Sequence, residues 1–399
     1  MIAQLFWLFV GSIVYTYVGY PLLVTVLARL RPDLAPVLRA RGSQSELPTV
    51  TLLIAAYNEE EVIAEKLANS LALDYPADRL QILVTADGSD DRTPEIVRHF
   101  ADQGVELIFN PPREGKMAAI NRAVPLARGE IIVFSDANNL YAPDALRELV
   151  VPFVDPTVGA VSGAKQIIKG DGALGESEGL YWRYESFIKK QETRLGTCTG
   201  VAGEIFAIRR DLFESPPDKI INDDFYMGMR LIKRGYRIAY APKARSFERV
   251  SPSAQDEVTR RARIVAGRYQ AMSLAHQLLP ARPVAAWQII SHKFMRPLVP
   301  LAMIGAFLTN LIAVLWPTDQ RKKALPHLAP PVNWLLLGLQ VLFYALPAVP
   351  KDRLQRKGLL GKLLYLPLFL LNSNIAALIG LYRFVTKRQS TLWKRVPRS

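Results

Sequence analysis

The chain has 399 residues, a formal net charge of +14 and a single cysteine, Cys198. One cysteine excludes an intrachain disulfide, and the lack of Cys clusters excludes a thiolate zinc site. The basic balance would suit nucleic acid, but many cations sit beside apolar runs: Arg29, Arg31, Arg39 and Arg41 near one end, Lys351, Arg353, Arg356 and Lys357 near the other. Such cations meet anionic lipid head groups rather than a nucleic-acid groove, so membrane lipids are expected partners and nucleic acid is not.

Composition divides the chain into apolar ends and a mixed middle. Residues 5–27 carry no charge and are long enough to cross a hydrocarbon core of about 20 helical residues. A cleaved signal peptide fits them less well, because no basic region precedes a run that is itself too long. This gives an N-terminal transmembrane helix within 1–30, and the arginines after it favour keeping the next domain, 45–275, in the cytoplasm. That middle portion can bury a sizeable core alone. Within it, 50–55 reads as a strand, 59–71 as a helix with Val62, Ile63 and Leu67 on one side, 81–86 as a strand, 93–102 as a helix, 106–109 as a strand, 116–127 as a helix and 130–135 as a strand. Alternation of this kind predicts an α/β domain with a mainly parallel sheet and helices on both faces. Further on, 280–296 mixes Trp287, Ile289, Ile290, Phe294 and Met295 with His and Lys, which suits an interfacial helix. Residues 297–316, 332–349 and 359–385 are candidate spans of a C-terminal transmembrane region, 297–385, and 386–399 is a basic tail. The last span is interrupted by Pro367 and Asn372-Ser373-Asn374, predicting a kink or re-entry. An odd number of later spans puts the C-terminus outside, whereas its basic residues favour inside.

In open parallel sheets, ligands bind beyond the carboxyl ends of the strands. Three polar clusters fall there: Tyr57-Asn58-Glu59, Asp87-Gly88-Ser89 and Asp136-Ala137-Asn138. Any one could be turn chemistry, but three at successive strand ends point to a nucleotide site. Asp136 and Asn138 can offer two oxygens to a hard cation, Mg2+ or Mn2+, alongside substrate phosphates; a turn or helix cap would use the same residues. Gly115-Lys116 opens a helix and can meet phosphate, or be a solvated loop. Asn222-Asp223-Asp224 opens a helix at about 225–234, where acids also complement the helix dipole. Its chemical use would be a base for an acceptor hydroxyl. Arg260, Arg261 and Arg263 could clamp a diphosphate or face lipid.

In this order, Ala55-Ala56-Tyr57-Asn58-Glu59, Asp87-Gly88-Ser89, Gly115-Lys116, Asp136-Ala137-Asn138 and Asn222-Asp223-Asp224 resemble the family 2 glycosyltransferases. More narrowly, they resemble the membrane branch of cellulose, hyaluronan and poly-N-acetylglucosamine synthases. The resemblance implies a GT-A fold flanked by transmembrane helices. It implies inverting transfer from a nucleotide-sugar, UDP-linked, to a membrane-proximal glycan or lipid-linked acceptor at the cytoplasmic face of a bacterial inner membrane. It places Ala55, Tyr57, Glu59, Asp87, Lys116, Asp136 and Arg263 on the nucleotide-sugar and Asp136 and Asn138 on the metal. Gly203, Glu204 and Asp223 fall on the acceptor side, and Asp224 is the base. Arg230 matches an arginine six residues beyond that base.

Three departures stand out. Asn138 replaces the second Asp of Asp-x-Asp. Asn222-Asp223 stands where Thr-Glu is usual. Arg260 and Ile264 stand where the Gln-x-x-Arg-Trp motif has Gln and Trp. Loss of that Trp removes an aromatic platform near the acceptor, so a non-processive transferase is expected. A processive synthase and a non-catalytic nucleotide-sugar-binding subunit are the alternatives.

Overall fold

The run Val-Thr-Leu-Leu-Ile-Ala-Ala forms β1 (Val50–Ala56), buried along nearly its whole length, as a strand covered on both faces must be. The computed structural model describes residues 1–32, 46–168, 172–217, 219–249, 254–316, 324–345 and 359–389. Arg39, Arg41, the basic cluster 351–357 and most of the basic tail lie outside them. The described chain groups into two units. One is built chiefly of Val24–Glu257 and Gln270–Ile289, the other of Met1–Leu23, Val258–Tyr269 and Ile290–Lys387.

The first unit holds one sheet. Its further strands are β2 (Leu80–Asp87), β3 (Val105–Asn110), β4 (Ile131–Asp136), β5 (Leu140–Tyr141), β6 (Val158–Ile167), β7 (Phe206–Arg209) and β8 (Arg237–Glu248), in the order β3-β2-β1-β4-β7-β6-β8-β5. From β3 to β4 every pairing is parallel, as the β–α alternation requires. Beyond β4 the sheet becomes mixed: β7 runs antiparallel to both β4 and β6, while β8 is parallel to β6 and antiparallel to β5. That half was not foreseen.

The crossover helices are shorter than their periodicity suggested. Helix Lys116–Ala123 gives way to a 3-10 turn, Val124–Leu126, because Pro125 cannot donate the next hydrogen bond. Helix Ile63–Leu71 starts late because residues 58–60 are bonded to a neighbouring loop. Leu52, Ile54, Ile63, Leu67, Val84 and Val133 are among the residues of the continuous core, each almost fully enclosed.

The second unit is helical. Helix Ile2–Val14 continues through a π turn, Tyr15–Gly19, into Tyr20–Arg29. It packs on Met295–Leu315, where Gly305 admits the Phe9 ring; a Cβ there would lie 2.6 Å from it. Phe6, Ala306, Ala313 and Leu328 form the shared core. Large apolar side chains face outward, Leu8 and Leu342 each 64 % exposed, and Leu301, Ile304, Leu308 and Leu335 are exposed as well. Among the described residues, two helices are long and apolar enough to cross a membrane, Ile2–Arg29 and Pro283–Leu315.

Two segments differ from expectation. The stretch read as an interfacial helix is continuous with the next apolar helix through a π turn, Ile290–Phe294. Its Ser291, His292 and Lys293 are buried. Ser291 Oγ lies 2.7 Å from the Tyr15 hydroxyl and the His292 ring 5.8 Å from that of Tyr20, so these polar groups find partners inside the helical unit. Likewise Leu359–Val385 is one helix despite Pro367 and Asn372-Ser373-Asn374. Asn374 turns its amide back to the Leu370 carbonyl at 2.8 Å and Ser373 accepts from Arg261 at 3.2 Å, so neither needs to break the helix.

Candidate active site

Strand register sets the site. Ala55 is level with Thr85 on one side and Asp136 on the other, and Asp87 is level with Asn110. The polar clusters after β1, β2 and β4 therefore emerge along one carboxyl edge, where no further strand covers them.

The loops after β1 and β2 are stitched together. Asn58, in a left-handed conformation (φ 53°), donates its backbone N–H to Ser89 Oγ at 3.1 Å and its side-chain amide to Asp90 at 2.6 Å. Glu59 N–H donates to Thr93 Oγ1 at 2.8 Å. Gly88 (φ 65°) is required where it stands: a Cβ would lie 2.4 Å from Arg113 Cβ and 2.6 Å from its Cα. Arg113 in turn lies over the Tyr57 ring, 3.7 Å from its centroid. Asp87 braces the next loop: one oxygen accepts from the backbone N–H groups of Glu114 and Gly115 at 3.0 and 2.6 Å, and the other pairs with Arg122.

Lys116 begins its helix after Gly115 (φ 102°) and reaches Asp136 Oδ1 at 2.5 Å. Burial pulls the Lys116 ammonium down, but Asp136, Asp223 and Asp224 together outweigh it, so its proton is held above the ordinary lysine range. Asp136 thus pairs with this ammonium, and Asp223 and Asp224, at the start of helix Asp223–Lys233, act on it electrostatically. Asp224 keeps one oxygen on the Phe225 N–H at 2.7 Å. Gly203 lies against it; a Cβ there would stand 3.2 Å from Asp224 Oδ2. Arg230 points elsewhere, to an ion pair with Glu214 at 3.0 Å. Arg263 lies on helix Ala254–Ser273, in the stretch that belongs to the helical unit.

Residues that the sequence reading passed over hold these parts together. Asn139 donates to the Glu204 carbonyl at 3.0 Å and to Ser246 Oγ at 2.7 Å, and accepts from Ser135 Oγ at 3.1 Å. Tyr141 donates to the same Glu204 carbonyl at 2.8 Å; burial raises its hydroxyl pKa, so it stays protonated. Lys66, fully buried, donates to the Asn139 carbonyl at 2.8 Å and lies over the Tyr141 ring. Burial pushes its ammonium down to about 7, with Asp136 opposing. Lys66 stands three residues after Ile63 and one before Leu67, on the buried side of that helix; a lysine in that position was the available signal.

The residues also fit a divalent cation. Asn138 Oδ1 is buried with no hydrogen-bond partner among the described residues, two positions from the Asp136 carboxylate. No group of three or more His, Cys, Asp or Glu placed to hold a metal ion is present among the described residues. That matches a cation which takes few protein oxygens and fills its shell with substrate phosphate and water.

A family model described as glycosyltransferase like family 2 matches residues 48–267. The chain is 31 % identical over 230 residues to a probable glycosyltransferase YdaM of Bacillus subtilis, covering 52 % of each. It is 30 % identical over 206 residues to a poly-β-1,6-N-acetyl-D-glucosamine synthase of Staphylococcus aureus, covering 50 % of this chain and 49 % of that one. The chain thus spans about half the length of these curated relatives. Among solved structures it resembles the mannosyltransferase PcManGT from Pyrobaculum calidifontis, determined with GDP-Man and Mn2+. The TM-score is 0.65 with 23 % identity, over 95 % of this chain and 99 % of that one. The fold is GT-A.

Proposed function

The chain belongs to the glycosyltransferase like family 2, and from that premise we propose that it is an inverting glycosyltransferase. In this reading it moves a sugar from a nucleoside-diphosphate donor, UDP-linked, to a glycan or lipid-linked acceptor. The observation that carries it is the Lys116–Asp136 pair at the carboxyl edge of the sheet, with Asp223 and Asp224 close enough to act on the same ammonium. A binding-only protein would need no such base; a transferase needs one carboxylate for the metal and another for the acceptor proton.

Each residue then has a task. Tyr57, with Arg113 across its face, and the braced loop from Asp87 to Gly115 form the nucleoside side. Lys116 lies where a diphosphate would gather charge. Asp136 and Asn138 would hold Mg2+ or Mn2+, which when bound neutralises charge on the departing diphosphate. PcManGT was solved with Mn2+, which supports the choice of cation. Asp224 accepts the proton of the attacking acceptor hydroxyl as the new glycosidic bond forms and the bond to the diphosphate breaks on the opposite face. Gly203, with no side chain, leaves Asp224 approachable. Glu204 and Asp223 flank the acceptor.

The outward apolar side chains of the helical unit and the two long apolar helices support a membrane protein, and the arginines after the first apolar run support a cytoplasmic sheet-bearing unit. Ile264, in place of an aromatic, supports addition of one or a few sugars rather than processive synthesis. The test is a donor screen on the full chain in detergent, using labelled nucleotide-sugars with and without Mn2+ or Mg2+. Metal-dependent release of nucleoside diphosphate, lost in Asp224→Asn, is the expected result; no turnover with any donor would overturn the reading. Product length by electrophoresis separates single addition from a polymer.

A further inference from the structure

The acceptor half of the sheet holds charges that the transfer reaction itself does not use. Lys165, on β6, pairs with Glu248, on β8, and lies 3.4 Å from Glu204 Oε1; all three side chains are nine-tenths or more buried or close to it, at 7 %, 4 % and 11 % exposed. Buried charges are held this way only when each has its partners. Over them lies Trp182, on helix Gly172–Leu195, with Lys165 Nζ 5.3 Å from its ring centroid and Lys189 Nζ at 6.0 Å. The Trp182 ring is only half-buried, yet its Nε1 is fully enclosed and has no hydrogen-bond partner among the described residues.

A buried indole N–H nearly always finds an acceptor. The indole can only donate, and no described residue accepts from it, so an oxygen from outside the described residues would complete it. Two ammonium donors, Lys165 and Lys189, lie by the ring, and the carboxylate acceptors Glu204 and Glu248 follow through Lys165. A flat apolar face bordered by donors and acceptors matches a pyranose, which has C–H groups on its faces and hydroxyls round its rim. A phospholipid tail would leave the charges unmatched, and a phosphate would meet the carboxylates. The cluster also leads straight to the base: Glu204 follows Gly203, and Gly203 lies against Asp224.

We propose that Trp182, with Lys165 and Glu204, forms an acceptor subsite that binds the terminal pyranose of a glycan and presents its hydroxyl toward Asp224. This rests on the transferase reading and narrows its acceptor to one ending in a neutral sugar. It also supplies, from a different helix, the aromatic surface missing at Ile264. Trp182 here is a binding and positioning residue; the chemistry stays with Asp224.

The test uses the full chain in detergent. Calorimetric titration with short gluco-, manno- and N-acetylglucosamine oligosaccharides measures acceptor affinity, while donor hydrolysis to water is followed in the same preparation. The wild type should bind at least one series. Trp182→Phe, which keeps a ring and deletes the N–H, should weaken that binding by up to about tenfold. Trp182→Ala should weaken it by about a hundredfold. Both should hydrolyse donor within about twofold of wild type, a change below 0.5 kcal/mol. Unchanged oligosaccharide affinity in Trp182→Ala, or parallel loss of donor hydrolysis in both variants, would overturn the subsite, as would binding of none of the series by a wild type that hydrolyses donor. A wild type with no metal-dependent donor hydrolysis would instead overturn the transferase reading beneath it.

Discussion

The two halves of the sheet are built on different principles. From β3 to β4 the strands are parallel, their residues are mostly apolar with a few neutral polar groups such as Thr51, Gln81 and Thr85, and the carboxylates of the candidate site appear where strands stop. From β7 to β5 the pairing is mixed, and charge runs inside the protein, in Lys165, Glu204 and Glu248. The first half separates scaffold from chemistry; on the proposed acceptor subsite the second merges them, since its buried charges would also be its binding groups. A substitution at a strand end in the first half should therefore alter catalysis with little effect on folding. One in the second half, or at the Lys66–Asn139 hinge between the two, should disturb both.

The largest effect expected tests the first half. Asp136→Ala should abolish turnover, a loss beyond about 10⁴-fold or roughly 5.5 kcal/mol of barrier, with the thermal melt of the purified chain hardly moved. Wild type in excess chelator should behave the same way and recover with Mn2+ or Mg2+. Full turnover in chelator would remove the metal from the scheme.

Next comes the base. Successive residues at a helix start point about 100° apart, so Asp223 and Asp224 cannot both address one hydroxyl. Asp224→Asn should lower turnover by about 10²–10⁴-fold while donor affinity stays nearly intact. Asp223→Asn should cost less, on the order of 1 kcal/mol, through helix-start electrostatics. Paired kinetics and donor titration would read both. A larger loss in Asp223→Asn, or lost donor binding in Asp224→Asn, would reverse the assignment.

These two predictions concern residues that were legible beforehand, and the reason is physical. A parallel strand is an apolar run with a polar end, so both its position and its functional residue show in a linear reading; Asp87 and Asp136 were found in this way. Asp223 and Asp224 showed because acids at a helix start form a local pattern. Lys66, Asn139, Lys165 and Trp182 were not legible. The partners of the first three lie 73, 65 and 83 residues away, and the Trp182 N–H has none among the described residues; no local period marks such groups. The crossover helices were misjudged at their ends, among them at Pro125, at the bonded loop 58–60 and after Arg98.

The hinge gives an intermediate effect, and its sign follows from Lys66. The folded-state pKa is about 7, below the ordinary 10.5 of an exposed lysine. Between those values the unfolded chain binds the extra proton and the folded chain does not, so stability rises with pH across that window. Below about 7 both states are protonated and the contribution is constant. Replacing Lys66 by Met removes this dependence. The stability of wild type relative to Lys66→Met should therefore climb by about 1.4 kcal/mol per pH unit from pH 7 toward 10, and be flat from pH 5 to 7. Denaturant melts of both proteins in the same detergent would show it; parallel curves throughout would mean that Lys66 keeps an ordinary pKa.

The smallest effect expected is at Cys198, which tests whether a buried group in the second half can be a scaffold part alone. Its side chain is fully enclosed, its backbone N–H donates to the Ile238 carbonyl at 2.8 Å, and its thiol donates to the Gly200 carbonyl at 3.0 Å. Glycosyl transfer needs no thiol nucleophile, and Gly200 is three residues short of the glycine that lies against Asp224. A serine hydroxyl can donate to the same carbonyl, so Cys198→Ser exchanges one satisfied donor for another. The C–O bond is shorter than C–S, which leaves a small packing defect and a more polar group to bury, worth on the order of 1 kcal/mol of stability. Turnover should stay within about threefold of wild type, under 1 kcal/mol of barrier, and the melting temperature should fall slightly. A loss of turnover above about a hundredfold, 2.7 kcal/mol, with an unchanged melt, would show that the thiol acts on the acceptor loop and not only on its packing.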